Sequence, residues 1–174
     1  MSFGLSHYDF SDKARAYADL ARDLEGLLEG ERHWIANTAN AAALLYAALP
    51  DLNWAGFYLV TTSAAGVPEL VVGPFQGKPA CVRIGMGRGV CGAAAARRET
   101  IVVPDVMAVA GHIACDSASR SEIVVPLLRP GLAGAAGLAG VLDLDSPRPA
   151  RFDEADRAGL ERVAAIIAAA CDWP

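Results

Sequence analysis

The spacing of apolar residues changes twice along the chain, and this restricts the fold more than any other feature. Up to Pro50 they recur at helical intervals, from Trp54 to Ser146 they form short β-type runs, and after Asp153 helical spacing returns. Residues 11–29 predict a helix capped by Ser11, with Asp12 in its first turn and Gly30 as its stop. Tyr17, Leu20, Leu24, Leu27 and Leu28 share one face of it. Residues 31–48 predict a second helix, with Trp34, Ala41, Leu44, Leu45 and Ala48 near one stripe and Pro50 ending it. The closing stretch "FDEADRAGLERVAAIIAAA" predicts another, capped by Asp153 and burying Leu160, Val163, Ala164 and Ile167.

Between these helices, "WAGFYLV" (54–60), "ELVVGPF" (69–75), "CVRIG" (81–85) and "TIVVPD" (100–105) read as strands. "GRGVCGAAAARRE" (87–99) reads as a glycine-rich turn entering a short alanine helix. "SEIVVPLL" (121–128) and "GVLDLDS" (140–146) read as the arms of a hairpin, joined by the compositionally flexible "RPGLAGAAGLA". Helices gathered around a block of strands, without regular βαβ alternation, predict an α+β fold: a central antiparallel sheet with flanking helices. No repeat or linker divides the chain, so residues 1–174 are expected to form one domain with a helical N-terminal segment over about 1–50.

Bulk properties narrow the function. A chain 53% hydrophobic and 20% charged is not disordered. A net charge of -5 without a cluster of Lys and Arg argues against a nucleic-acid partner. No uncharged apolar stretch approaches the ~20 residues of a membrane span, and "MSFGLSHYDFSDKARAY" has no basic segment followed by an apolar core. The expectation is a cytoplasmic protein with no membrane partner.

The four cysteines, Cys81, Cys91, Cys115 and Cys171, are too sparse for a disulfide scaffold. Cys81 follows the loop "GPFQGKPA". Cys91 stands where the short helix begins, where backbone N–H groups and the helix dipole would favour a thiolate or an anion. Cys115 lies in the polar stretch "GHIACDSASRSEIVVPLL", with His112 before it and Asp116 after it. Zinc is disfavoured for these thiols: no C-x-x-C occurs, and the intervals are 10 and 24 residues. Cys171 reads as a helix-packing residue.

Acids complete the candidate chemistry. Asp143 and Asp145 lie two residues apart on one arm of the hairpin and so share a face, leaving Leu142 and Leu144 to the core. Such a pair usually marks a solvated face. With Glu122 on the other arm, three carboxylates would share a pocket, where burial and repulsion raise at least one pKa and create a proton donor. The remaining ionised acids would bind an ammonium group. Trp54 and Tyr58 share a strand face that could form the pocket wall, with Phe57 in the core.

The strings "NWAGFYLV", "GPFQGKPAC", "GRGVCG", "DV…GHIACD", "SEIVVPL" and "GVLDLDSP…FDEAD", in this order, resemble the free methionine-(R)-sulfoxide reductase family, which is built on a single GAF domain. The resemblance runs from about residue 20 to the last helix. It implies a GAF-like sheet, and thiol-dependent reduction of free methionine sulfoxide with no metal or organic cofactor. It also implies Cys115 as nucleophile, Cys81 as resolving cysteine and Cys91 as an auxiliary or alternative resolver. Glu122, Asp143 and Asp145 take the place of the family's acidic substrate-binding residues, with Trp54 or Tyr58 against the substrate. A thioredoxin-like reductant and a homodimer formed through the first helices follow as implied partners. The competing expectation is a non-catalytic GAF module that senses a small ligand or redox state. Three cysteines in reductase-type loops argue against it.

Overall fold

The first helix is capped by Asp12 and not by Ser11: the Asp12 carboxylate accepts from the Arg15 backbone N–H, and α1 runs Lys13–Leu28. Ser11 instead donates its backbone N–H to the Asp9 carboxylate, two residues earlier. The computed structural model describes residues 7–108 and 117–174. The second helix, α2, spans Trp34–Ala48. Six strands follow, interrupted by a short helix: β1 Trp54–Thr62, β2 Pro68–Gly77, β3 Arg83–Gly85, α3 Gly89–Arg97, β4 Ile101–Val103, β5 Ser121–Leu128 and β6 Leu138–Ser146. The last helix, α4, spans Glu154–Ala170.

The strands form one antiparallel sheet in the order β3-β2-β1-β6-β5-β4. The expected α+β architecture is therefore present. The outer strands β3 and β4 have three residues each, shorter than the runs read from sequence. The connection between β5 and β6 is tied down: the Arg129 N–H donates to Gly137 O at 2.8 Å, and the Arg98 guanidinium donates to Gly134 O.

Strand alternation divides the side chains between two cores. Ala55, Phe57 and Leu59 of β1, Ile123, Val125 and Leu127 of β5, and Leu142 and Leu144 of β6 pack beneath α1, α2 and α4. The helical faces that meet them include Tyr17, Leu20 and Leu24 from α1 and Leu160, Val163 and Ile167 from α4. Leu27, Trp34 and Ala48 of the expected stripes are only half-buried. The opposite face carries Trp54, Tyr58, Val124 and Val141, and among the described residues α3 packs there through Val90, Cys91, Ala94 and Ala95. Among the described residues this side has less helical covering than the other, which leaves room for a cavity.

One buried carboxylate joins α1 to α4. Asp153 caps α4 in a capping box with Asp156. Asp156, fully buried, accepts from Tyr17 Oη at 2.9 Å, Arg151 Nη1 at 3.0 Å, Lys13 Nζ at 2.5 Å and the Asp153 N–H at 3.0 Å. Lys13 also pairs with Asp153 at 2.7 Å, and this hydrogen bond holds the Asp153 carboxyl down at about 2. The carboxylate is buried with its donors, as a buried charge requires. Gly159, one turn further along α4, lets the Tyr17 ring reach the helix backbone: a Cβ there would stand 2.2 Å from Tyr17 Cγ. Gly159→Ala is therefore expected to lower stability by about 1–3 kcal/mol, read as a lower urea midpoint. An unchanged midpoint would show that the contact is not tight.

Candidate active site

The cavity lies on the α3 face, lined from β1, β3, β5, β6 and α3. β5 and β6 pair so that Glu122 stands opposite Asp145 and Val124 opposite Asp143. β1 pairs with the other side of β6, setting Trp54 opposite Asp145 and Gly56 opposite Asp143. Direct opposition and shared pleat parity gather the three acids and the two aromatics on one face. All three carboxylate residues are buried: Glu122 is 4% exposed, Asp143 6% and Asp145 8%. A solvated acidic face is thereby excluded.

The first turn of α3 lowers Cys91 onto these acids. Its Sγ lies 3.3 Å from Asp143 Oδ2 and 3.9 Å from Glu122 Oε1. A thiol has one proton to donate, and the shorter contact marks Asp143 as its acceptor. Asp143 Oδ1 is buried without a hydrogen-bond partner among the described residues. The space among them is about 20 Å³ and is lined by Tyr58, Arg88, Ser119 and the three acids as well as Cys91.

Burial sets the protonation of this group. It pushes the Asp143 carboxyl from 3.8 up to about 7, and the Cys91 S–H opposes this only in part. It also pushes Glu122 well above the usual carboxylate range, reinforced by the charges of Asp143 and Asp145. Cys91 departs from the expectation of a thiolate. Burial, then the charges of Asp143 and Glu122, drive its pKa well above the ordinary thiol value. The helix-terminal dipole, typically worth 0.3–1 kcal/mol, is the smaller effect beside burial among carboxylates.

Tyr58 lines the cavity, and Trp54 lies beside it on the same strand face. Trp54 stacks on Tyr58 at 5.9 Å and on Phe75 at 5.2 Å, and its indole N–H donates to Lys78 O at 3.1 Å. Its described contacts brace the loop that carries Cys81. The far end of that loop is held by the Val72 N–H on Val82 O at 3.0 Å. Cys81 is half-buried and packs against the same core as Cys91. Cys115, with His112 and Asp116, lies outside the described residues. Cys171 is buried in the helical core, the packing role expected for it.

Two lining residues with polar side chains were not singled out from sequence. Arg88 immediately precedes α3 and Ser119 accepts from Asn53 Nδ2 at 2.9 Å. Arg88 stands in the quoted "GRGVCG", but nothing in that string separates a pocket cation from a solvated one. Ser119 is one of three serines between residues 117 and 121, and only the fold distinguishes it.

Residues 21–171 match the GAF domain family. Free methionine-R-sulfoxide reductase of Escherichia coli is 49% identical over 156 residues, covering 90% of this chain and 88% of the relative. This chain belongs to the free methionine-R-sulfoxide reductase family of GAF-domain proteins. The family's enzyme of the same name from Saccharomyces cerevisiae is 41% identical over 95% of this chain and 92% of its own length. An X-ray structure of the Neisseria meningitidis reductase in complex with its substrate is 46% identical. It superposes with a TM-score of 0.84 over 96% of this chain and 94% of that one. Among the described residues, no helix of this family member is long and apolar enough to cross a membrane.

The raised Asp143 carboxyl has a consequence for stability. In the folded chain it keeps its proton up to about pH 7, whereas in the unfolded chain it loses it near 3.8. Between these values the folded state binds more protons, so stability falls as pH rises through the window. Asp143→Asn keeps an acceptor for Cys91 and removes the titration. It is expected to stabilise the chain by up to about 4 kcal/mol near pH 8 and to have little effect near pH 4. Urea midpoints of both chains across that range test this, and parallel pH profiles would contradict it.

Proposed function

We propose that the chain reduces free L-methionine-(R)-sulfoxide to methionine, with Cys115 as nucleophile and the Glu122, Asp143 and Asp145 cavity as substrate pocket. The observation that carries this reading is the pair of buried carboxyls, Glu122 and Asp143, held protonated towards neutral pH beside an open space. A sulfoxide needs such a group: as its S–O bond weakens, the oxygen must take up a proton. Family membership supports the same chemistry.

In the proposed reaction the Cys115 sulfur attacks the sulfoxide sulfur while a carboxyl of the pocket protonates the oxygen. The oxygen passes to Cys115 as a sulfenic acid, and methionine leaves with its thioether restored. The Cys81 thiol then condenses with the sulfenic acid, forming a disulfide and releasing water. A thioredoxin-like dithiol exchanges with that disulfide and returns both cysteines to thiols, itself becoming oxidised. Asp145 and whichever neighbouring acid remains ionised bind the substrate ammonium. Tyr58 forms the apolar wall, with Trp54 stacked on it. Cys91, buried as a thiol on Asp143, suits an auxiliary role better than that of first nucleophile. The setting proposed is the cytoplasm, in a single-domain chain that can pair as a homodimer through its first helices.

The test is a product assay on both epimers, free and peptide-bound, with dithiothreitol as reductant. Methionine is expected from the free (R) epimer alone. Cys115→Ser should lower the rate by ~10³-fold or more, and Glu122→Gln or Asp143→Asn by ~10²–10⁴-fold. Cys81→Ser should complete one turnover but cycle poorly with thioredoxin. Binding without methionine release would favour a sensor.

A further inference from the structure

The same pocket has a second chemical property. Cys91 Sγ, an oxygen of Glu122 and an oxygen of Asp143 all lie within 4.8 Å of one another on three buried residues. A tetrahedral zinc ion with a sulfur ligand at ≈ 2.3 Å and oxygen ligands at ≈ 2.0–2.2 Å holds sulfur and oxygen about 3.5 Å apart. The two S···O separations, 3.3 and 3.9 Å, bracket that value. An independent observation points to a ligand. Asp143, 6% exposed, lines the cavity with Oδ1 lacking a hydrogen-bond partner among the described residues. The pocket volume of about 20 Å³ holds one water-sized sphere, the scale of a single ion. The residues differ from the zinc set disfavoured by cysteine spacing, because two of the three donors are acids from separate strands.

We infer that this pocket binds one thiophilic divalent cation, of the zinc and cadmium class, through Cys91, Glu122 and Asp143, and that the ion excludes the substrate. One thiolate and two carboxylates favour such ions over magnesium and calcium, which prefer oxygen alone. On binding, the Cys91 S–H bond is replaced by a sulfur–metal bond, and the proton, with any held by the two carboxyls, passes to solvent. The fourth position stays open to water. The site is inhibitory because the ion occupies the oxygens that would meet the sulfoxide. The exclusion rests on the reductase reading above, whereas the metal site does not.

Cobalt(II) and zinc(II) are the probes, added to the reduced full chain in a non-thiol phosphine reductant. Cobalt is expected to bind at one equivalent with a thiolate-to-cobalt absorption band, and zinc to displace it. Cys91→Ser should abolish the band and Cys115→Ser should retain it. Asp143→Asn, with folding checked by circular dichroism, should weaken cobalt binding by ~10-fold or more. A band that survives Cys91→Ser, or affinity unchanged in Asp143→Asn, would overturn the site. Free methionine-(R)-sulfoxide should bleach the band, and zinc should raise KM with little change in kcat. A band unaffected by sulfoxide in a chain that still turns it over would overturn the exclusion. If the metal-free chain gives no methionine, the reductase reading fails, while the Cys91-dependent band still decides the metal site.

Discussion

The pairing of β1 with β6 at the centre of the sheet is the contact on which the rest depends. It joins two hairpin systems, β1–β2 and β5–β6, that are far apart in sequence. It also fixes the parity that sends Phe57, Leu142 and Leu144 into the helical core and Tyr58, Asp143 and Asp145 to the other side. A slip of one residue would exchange the two sets, placing carboxylates beneath α1 and α4. Those helices would then lose the apolar surface that holds them. Fold and site are consequences of one register, and the core enforces it because apolar burial is far cheaper than burying acids.

The chain buries carboxylates in two places, with opposite chemistry. Asp156 is surrounded by donors from Lys13, Tyr17, Arg151 and the Asp153 backbone, and it locks α1 against α4. Asp143 receives one thiol contact and keeps an oxygen unused among the described residues. The first arrangement spends its hydrogen-bonding capacity on stability. The second leaves capacity for protons, an ammonium group or a metal ion, and burial makes each of these more welcome than an empty charge. Unmet bonding at a buried acid thus distinguishes a reactive pocket from a structural anchor of the same residue type.

Much of this was legible in the chain. Helices, strands and the shared face of Asp143 and Asp145 follow from spacing, because a strand's period of two does not depend on its neighbours. The motif strings led to the family because thiols and acids occur in them together and in order. Other details were decided by neighbours in space. Ser11 and Asp12 are both good caps, and only backbone geometry chose Asp12. Trp54 shares a face with Tyr58, as the alternation predicts, but its stacking on both Tyr58 and Phe75 depends on a neighbouring strand that periodicity does not carry.

By itself, then, the sequence determined the order of elements, the α+β class, and which residues could share a face. These are properties of local spacing along one strand or helix. Only the tertiary structure decided that Cys91 descends onto Asp143 and Glu122, that all three acids lie buried, and that the thiol stays protonated where a helix terminus alone would favour a thiolate. Charge state depends on the distance to other charges and on the exclusion of water, and both are set by residues remote in the chain.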